Sequence, residues 1–157
     1  MISSLHVENF QSHMDSTLNF HPGVNVIVGS SDSGKTALLR SIVWVVNNRP
    51  LGTAYIRTGS SRTRVTVMLN PHYGGNASAD LPEAAPAGQL TILRERSARK
   101  NLYEVNGVAY DTPARDVPPE VTQAFGMSDL NLQAQLDQPF LILDSPGEIA
   151  AWVNKVT

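Results

Sequence analysis

Gly29-Ser30-Ser31-Asp32-Ser33-Gly34-Lys35-Thr36 satisfies the pattern G-x-x-x-x-G-K-[S/T] at every defined position. Each residue type suits phosphate chemistry. Gly29 and Gly34 let the backbone turn tightly and come close to an anion with no Cβ in the way. Amides from Ser31 to Thr36 can converge as a concave nest for anionic oxygens, and the positive end of the following helix adds to that field. Lys35 supplies a mobile point charge for β- and γ-phosphates. Thr36 offers a hydroxyl to Mg²⁺, a cation that takes oxygen ligands and keeps most of its waters. The spacing predicts a nucleotide-binding loop running from Gly29 through Ser30, Ser31, Asp32, Ser33, Gly34, Lys35 and Thr36 to Ala37. The bland alternative is a glycine-rich strand-to-helix turn with an exposed lysine. A chance match in a chain this long occurs on the order of once in two hundred.

The flanking pattern supplies what such a loop needs. Val24-Asn25-Val26-Ile27-Val28 reads as a short buried strand ahead of it. Gly34 to Val46 reads as a helix behind it, with apolar residues around most of its circumference and hence burial on more than one side. Asn47-Asn48-Arg49-Pro50 ends that helix. Ile2 to Phe10, Arg64 to Leu69 and Gln89 to Arg96 alternate as strands, and Gln11 to Ser16 reads as a polar turn leading to a short run at Leu18-Asn19-Phe20. Asn101 to Tyr110 predicts a hairpin turning at Asn106-Gly107. Pro118-Pro119 opens a short helix closed by Gly126, and Ser145-Pro146-Gly147-Glu148 is a capping box that starts a last one. Residues 70–88, rich in Pro, Ala and Gly, predict a mobile loop.

Leu5-His6-Val7-Glu8-Asn9-Phe10-Gln11-Ser12-His13, then Leu18-Asn19-Phe20, then Gly23-Val24-Asn25-Val26-Ile27-Val28-Gly29, resembles the N-terminus of the SMC-like DNA-repair ATPases, which include RecF, RecN, SbcC and the ATPase of the double-strand-break nuclease complex. Asn9-Phe10, Ser12-His13, Gly23 and Asn25 carry the match. Leu130 to Ile142, containing Gln133-Ala134-Gln135, resembles the Q-loop segment of the same proteins. The resemblance implies an α/β fold, the N-terminal lobe of an ABC-type P-loop NTPase head, with a mixed and antiparallel sheet around the phosphate-loop helix. It implies ATP and Mg²⁺ as cofactors, with Lys35 and Gln133 in catalytic roles and Thr36 and Gln133 at the metal. Gln135 is the second choice for that glutamine, and a polar loop residue is the plain alternative. Gln11, Ser12 and His13 are expected beside the nucleotide, and Tyr55-Ile56-Arg57-Thr58-Gly59 resembles a family strand near the base.

As partners the resemblance implies the C-terminal lobe of the same head, a second head in a homodimer, DNA, and in one branch a nuclease subunit. The chain departs from the pattern at Gln11, where the family has Arg, and at Asp32 and Ala134. No signature motif, Walker B Asp-Glu or switch histidine is present. Residues 1–157 are therefore expected to form one lobe of a head, 145–157 leading toward a coiled coil, and to be inactive in hydrolysis alone.

Phe140-Leu141-Ile142-Leu143-Asp144 leaves two alternatives open: a self-sufficient small kinase or NTPase with Asp144 as Walker B, or a non-hydrolysing nucleotide-binding assembly module. Against the first, Ser145 stands where a catalytic Glu is expected. Arg94 to Lys100 is the only dense basic run, read either as a phosphate contact or as a solvated hairpin edge. With 12 basic and 14 acidic side chains, bulk charge does not indicate a strongly basic nucleic-acid module. No cysteine is present, which removes disulfides, Cys-ligated zinc and thiol catalysis. No apolar run approaches the roughly 20 residues of a membrane span. The expected setting is the cytoplasm of a bacterium, with a phage-encoded origin as the variant.

Overall fold

A computed structural model describes residues 1–70, 88–111, 116–126 and 145–156. Six strands form one antiparallel sheet in the order β2-β1-β3-β4-β5-β6. They are β1 (Ile2–Phe10), β2 (His13–Asn19), β3 (Arg62–Leu69), β4 (Leu90–Ser97), β5 (Asn101–Val105) and β6 (Val108–Asp111). The helices are α1 (Lys35–Asn47), α2 (Pro119–Phe125) and α3 (Pro146–Val156). Met1–Gly126 and Met127–Thr157 form two separate compact units.

Alternation assigns the faces. On β3, Thr63, Val65, Val67 and Leu69 are buried while Arg64, Thr66 and Met68 lie on the other face. On β1, Leu5 and Val7 follow the same rule, and then the period breaks. Asn9 has a left-handed backbone (φ 53°), so Phe10 rather than Asn9 joins the core. Asparagine tolerates that conformation better than most side chains. Leu38, Trp44 and Val45 of α1 pack with these residues, and Phe10, Trp44 and Tyr55 form a ring cluster with centroids 4.8 to 5.6 Å apart. The hairpin prediction is met: β5 and β6 turn at Asn106 (φ 48°) and Gly107 (φ 83°), as a two-residue turn with two positive φ values requires.

Two readings need correction. Val24–Val28 forms no strand in the structure, and Val24, Val26 and Val28 are 93%, 76% and 83% exposed. Its alternating pattern is real, but no described strand pairs with its backbone. Helix α1 is covered around most of its circumference, as expected: Ala37, Leu38, Ser41, Trp44, Val45 and Val46 are buried, and only the strip of Thr36, Leu39 and Arg40 is exposed. β2 also begins at His13, inside the segment read as a turn, which shortens the true turn to Gln11-Ser12.

The basic run divides between the faces of β4. Arg94 is buried to 1% exposure, with its guanidinium 4.4 Å from the Trp44 ring centroid and 4.3 Å from that of Tyr103. It donates to Asn48 Oδ1 and, at 3.0 Å, to Asn101 Oδ1. Neither oxygen is anionic. Asn48 is the left-handed C-cap of α1, so the cation sits at the negative end of that helix. Burial lowers the Arg94 pKa, and burial pushes the Tyr103 phenol up to about 12, keeping it a donor to Val45 O at 2.8 Å. Glu95 lies on the opposite face, where burial opposes its charge but hydrogen bonding from Arg64 (2.7 Å) and the nearby Lys100 (3.4 Å) outweigh it, and its pKa falls.

Arg94→Ala is expected to lower stability by roughly 3 kcal/mol in urea unfolding, because two rings and two amide oxygens lose their partner. Arg94→Lys should recover less than half, since an ammonium has no planar face to stack. Glu95→Gln tests the other face. A depressed carboxyl pKa contributes stability above the ordinary value, near 4.5, that disappears as pH falls through the folded value. The variant should be less stable by about 1–2 kcal/mol at pH 7, and the difference should shrink as acid protonates Glu95 in the folded protein.

Candidate phosphate-binding site

Gly34 is the residue on which the loop closes. Its φ of +90° belongs to glycine, and a Cβ there would lie 2.6 Å from both His13 Nε2 and Ser12 Oγ. At Gly29 the constraint is milder, a Cβ meeting Ser33 Oγ at 2.9 Å, a side-chain atom that can rotate away. Gly34 is the glycine that the geometry demands. The peptide oxygen of Gly34 accepts from the amides of Ala37 (2.8 Å) and Leu38 (3.3 Å), starting α1. The same oxygen meets His13 Nε2 at 3.0 Å, which makes Nε2 the protonated nitrogen, while Nδ1 faces Ser16 Oγ at 2.8 Å.

The turn that carries Ser12 and His13 is itself held. Gln11 N donates to Tyr55 O at 2.7 Å, Arg57 N to Asn9 O at 2.8 Å, and Arg57 Nη1 to Ser12 O at 3.1 Å. Ser60 Oγ donates to Asn9 Oδ1 at 3.0 Å. Residues 55–60 thereby clamp the Asn9–His13 segment; Ile56 makes an isolated bridge to Phe10 rather than the strand that the resemblance implied.

Inside the loop, Lys35 Nζ donates to Gly29 O (2.8 Å) and Ser30 O (2.6 Å) and lies 3.4 Å from Ser33 Oγ. Its ammonium is held over the loop by neutral oxygens that a phosphate oxygen can replace. Among the described residues, the amides of Ser31, Asp32, Gly34, Lys35 and Thr36 have no hydrogen-bond acceptor. Thr36 is exposed beside them. Five free amides, a lysine and a hydroxyl at one helix N-terminus fit a magnesium-bound polyphosphate.

The structure places Ser12 and His13 against Gly34 of the Gly29–Ala37 loop. Gln11 lies in the adjacent turn, where its left-handed backbone (φ 49°) is part of the geometry. Gln133, Gln135 and Asp144 fall outside the described residues. Neither the His13–Gly34 contact nor the Ser60–Asn9 bond has a direct signal in the residues, since both join positions far apart in the chain.

Comparison with known proteins agrees with this geometry. A family model described as an AAA domain matches residues 4–107. The chain belongs to that family. It is 25% identical over 150 residues to structural maintenance of chromosomes protein 6 of Schizosaccharomyces pombe, covering 91% of this chain and 12% of that protein. It is 40% identical over 107 residues to the DNA replication and repair protein RecF of Psychromonas ingrahamii, covering 68% of this chain and 27% of that one. It is 34% identical over 71 residues to the DNA double-strand break repair Rad50 ATPase of Methanopyrus kandleri, covering 44% and 8%. The SMC-like resemblance is borne out, and the chain spans well under a third of these relatives. The fold matches a solved chain from work on ATP-driven dimerization and DNA stimulated activation of SMC ATPases, with TM-score 0.68, 20% identity and 99% of each chain covered. A RecF-ATP structure matches with TM-score 0.57 at 20% identity over 73% of this chain and 29% of that one. The ABC-type head fold is thus established, as an α/β unit with an antiparallel sheet.

Gly34→Ala should lower stability by about 1–3 kcal/mol, since the left-handed backbone and the contact with Ser12 and His13 both resist a Cβ. Adding His13→Ala relieves only the contact, so urea unfolding should show partial recovery in the double variant.

Proposed function

We propose that this chain binds ATP with Mg²⁺ at Gly29–Ala37 and forms the N-terminal lobe of an SMC-like ATPase head that serves DNA repair or recombination. The observation that carries the reading is the set of five amides, unpaired among the described residues, and the Lys35 ammonium gathered at the start of α1. Lys35 would exchange Gly29 O and Ser30 O for β- and γ-phosphate oxygens, and Thr36 would hold the metal. Mg²⁺ held there would offset the negative charge of the phosphates. His13 holds the Gly34 peptide oxygen, with Ser12 packed beside Gly34, and so helps set the direction in which the first amides of α1 point. Gln133 is assigned to the metal and the γ-phosphate on the family resemblance.

Hydrolysis is assigned to the completed head. The alternating apolar residues Val24, Val26 and Val28, exposed directly ahead of the loop, are suited to burial by a strand from a C-terminal lobe. A second head would complete the site across a homodimer. ATP-driven dimerization described for SMC ATPases supports this assignment. Residues 145–157 are assigned to a helix leading toward a coiled coil, DNA to the assembled heads, and a nuclease subunit only to the Rad50-like branch. The assembly is assigned to the cytoplasm; among the described residues no helix is long and apolar enough to cross a membrane.

Calorimetry tests the first step. Wild-type chain should bind magnesium–ATP and Lys35→Ala should lose at least tenfold in affinity; undiminished binding would refute the phosphate-loop assignment. Steady-state turnover tests the second. The chain alone should be inactive, and adding the C-terminal lobe should create DNA-stimulated hydrolysis. Turnover by the chain alone, lost in Asp144→Asn and kept in Gln133→Ala, would favour the self-sufficient enzyme instead.

A further inference from the structure

Asp32 has no explanation in the geometry of the loop. Ser33 N reaches Ser30 O at 3.4 Å, which places Asp32 at the third position of a turn with φ +59°. Glycine or asparagine suits that backbone at least as well as aspartate. Asp32 is exposed, and among the described residues it forms no ion pair: Lys35 Nζ turns to Gly29 O, Ser30 O and Ser33 Oγ instead. The first turn of α1 contains no acidic residue. Residues Gly29–Thr36 therefore hold one anion and one cation, and the anion projects from the loop that must receive another.

We propose that Asp32 is a specificity-determining residue that selects the magnesium complex of a nucleoside triphosphate over the free nucleotide. The inference rests on the reading of the loop as a nucleotide site. Coulomb repulsion scales with ligand charge, which is about −4 for the free triphosphate and about −2 for its magnesium complex. One carboxylate at the loop consequently penalises the free form by about twice as much, on a logarithmic scale, as the metal complex. Lys35 and the free amides attract both forms; Asp32 sharpens the difference between them. An exposed carboxylate also acts through water, so the selection weakens with salt over a screening length of about 10 Å at 0.1 M.

The test is a cycle of Asp32→Asn with and without magnesium, read as ATP affinity by calorimetry. Asparagine keeps the left-handed backbone and removes only the charge. The variant should bind magnesium–ATP about threefold more tightly and ATP in EDTA about tenfold more tightly, with both gains shrinking at 0.5 M salt. Lys35→Ala is measured alongside. If Lys35→Ala loses binding while Asp32→Asn changes both ligand forms by the same factor, or neither, the selector is wrong and the nucleotide site stands. If Lys35→Ala binds as well as wild type, or wild type binds neither form, the nucleotide reading fails and the inference fails with it.

Discussion

The contact between the β1–β2 turn and the Gly34 peptide governs the site. Gly34 O begins α1 and also holds His13, so helix start, loop closure and sheet edge meet at one oxygen. A phosphate loop with five free amides is held by few internal bonds, among them Ser33 N to Ser30 O and the Lys35 ammonium to Gly29 O and Ser30 O. Here rigidity is borrowed from the sheet. Asn9, Gln11 and Ser12 are tied to residues 55–60, Phe10 is sunk in the core against Trp44, and Trp44 belongs to the helix that the loop opens. The motif Asn9-Phe10-x-Ser12-His13 thus has a mechanical meaning: a left-handed residue, a core anchor, and two polar side chains that meet Gly34.

The other end of α1 is fixed by different chemistry. Arg94, caught between Trp44 and Tyr103, caps the helix through Asn48, and Tyr103 binds the Val45 carbonyl. A buried cation without a carboxylate partner is costly unless rings, amide oxygens and a helix terminus share its charge. The negative end of α1 is thus occupied within the protein, while its positive end stays open toward solvent.

Much of this was legible in the residues. The phosphate loop, the hairpin at Asn106-Gly107 and the strands β1, β3 and β4 follow from period and turn chemistry alone. The failures share a cause. Val24–Val28 has the pattern of a buried strand, but only Ile27 packs on the core and no described strand pairs with it, because strand formation depends on a partner and not on the segment alone. Arg94 sits in a basic run that looks solvated, yet strand alternation sends it inward and Glu95 outward. The clamp of residues 55–60 on Asn9 was invisible because it depends on contacts across about fifty positions in the chain.

Hydrogen–deuterium exchange over residues 24–37, with and without magnesium–ATP, tests the central claim most directly. Nucleotide should slow exchange at the amides of Ser31, Asp32, Gly34, Lys35 and Thr36 at least tenfold, and leave Val24–Val28 as fast as before. Unchanged exchange at those five amides under saturating nucleotide, or protection found only elsewhere in the chain, would contradict the account.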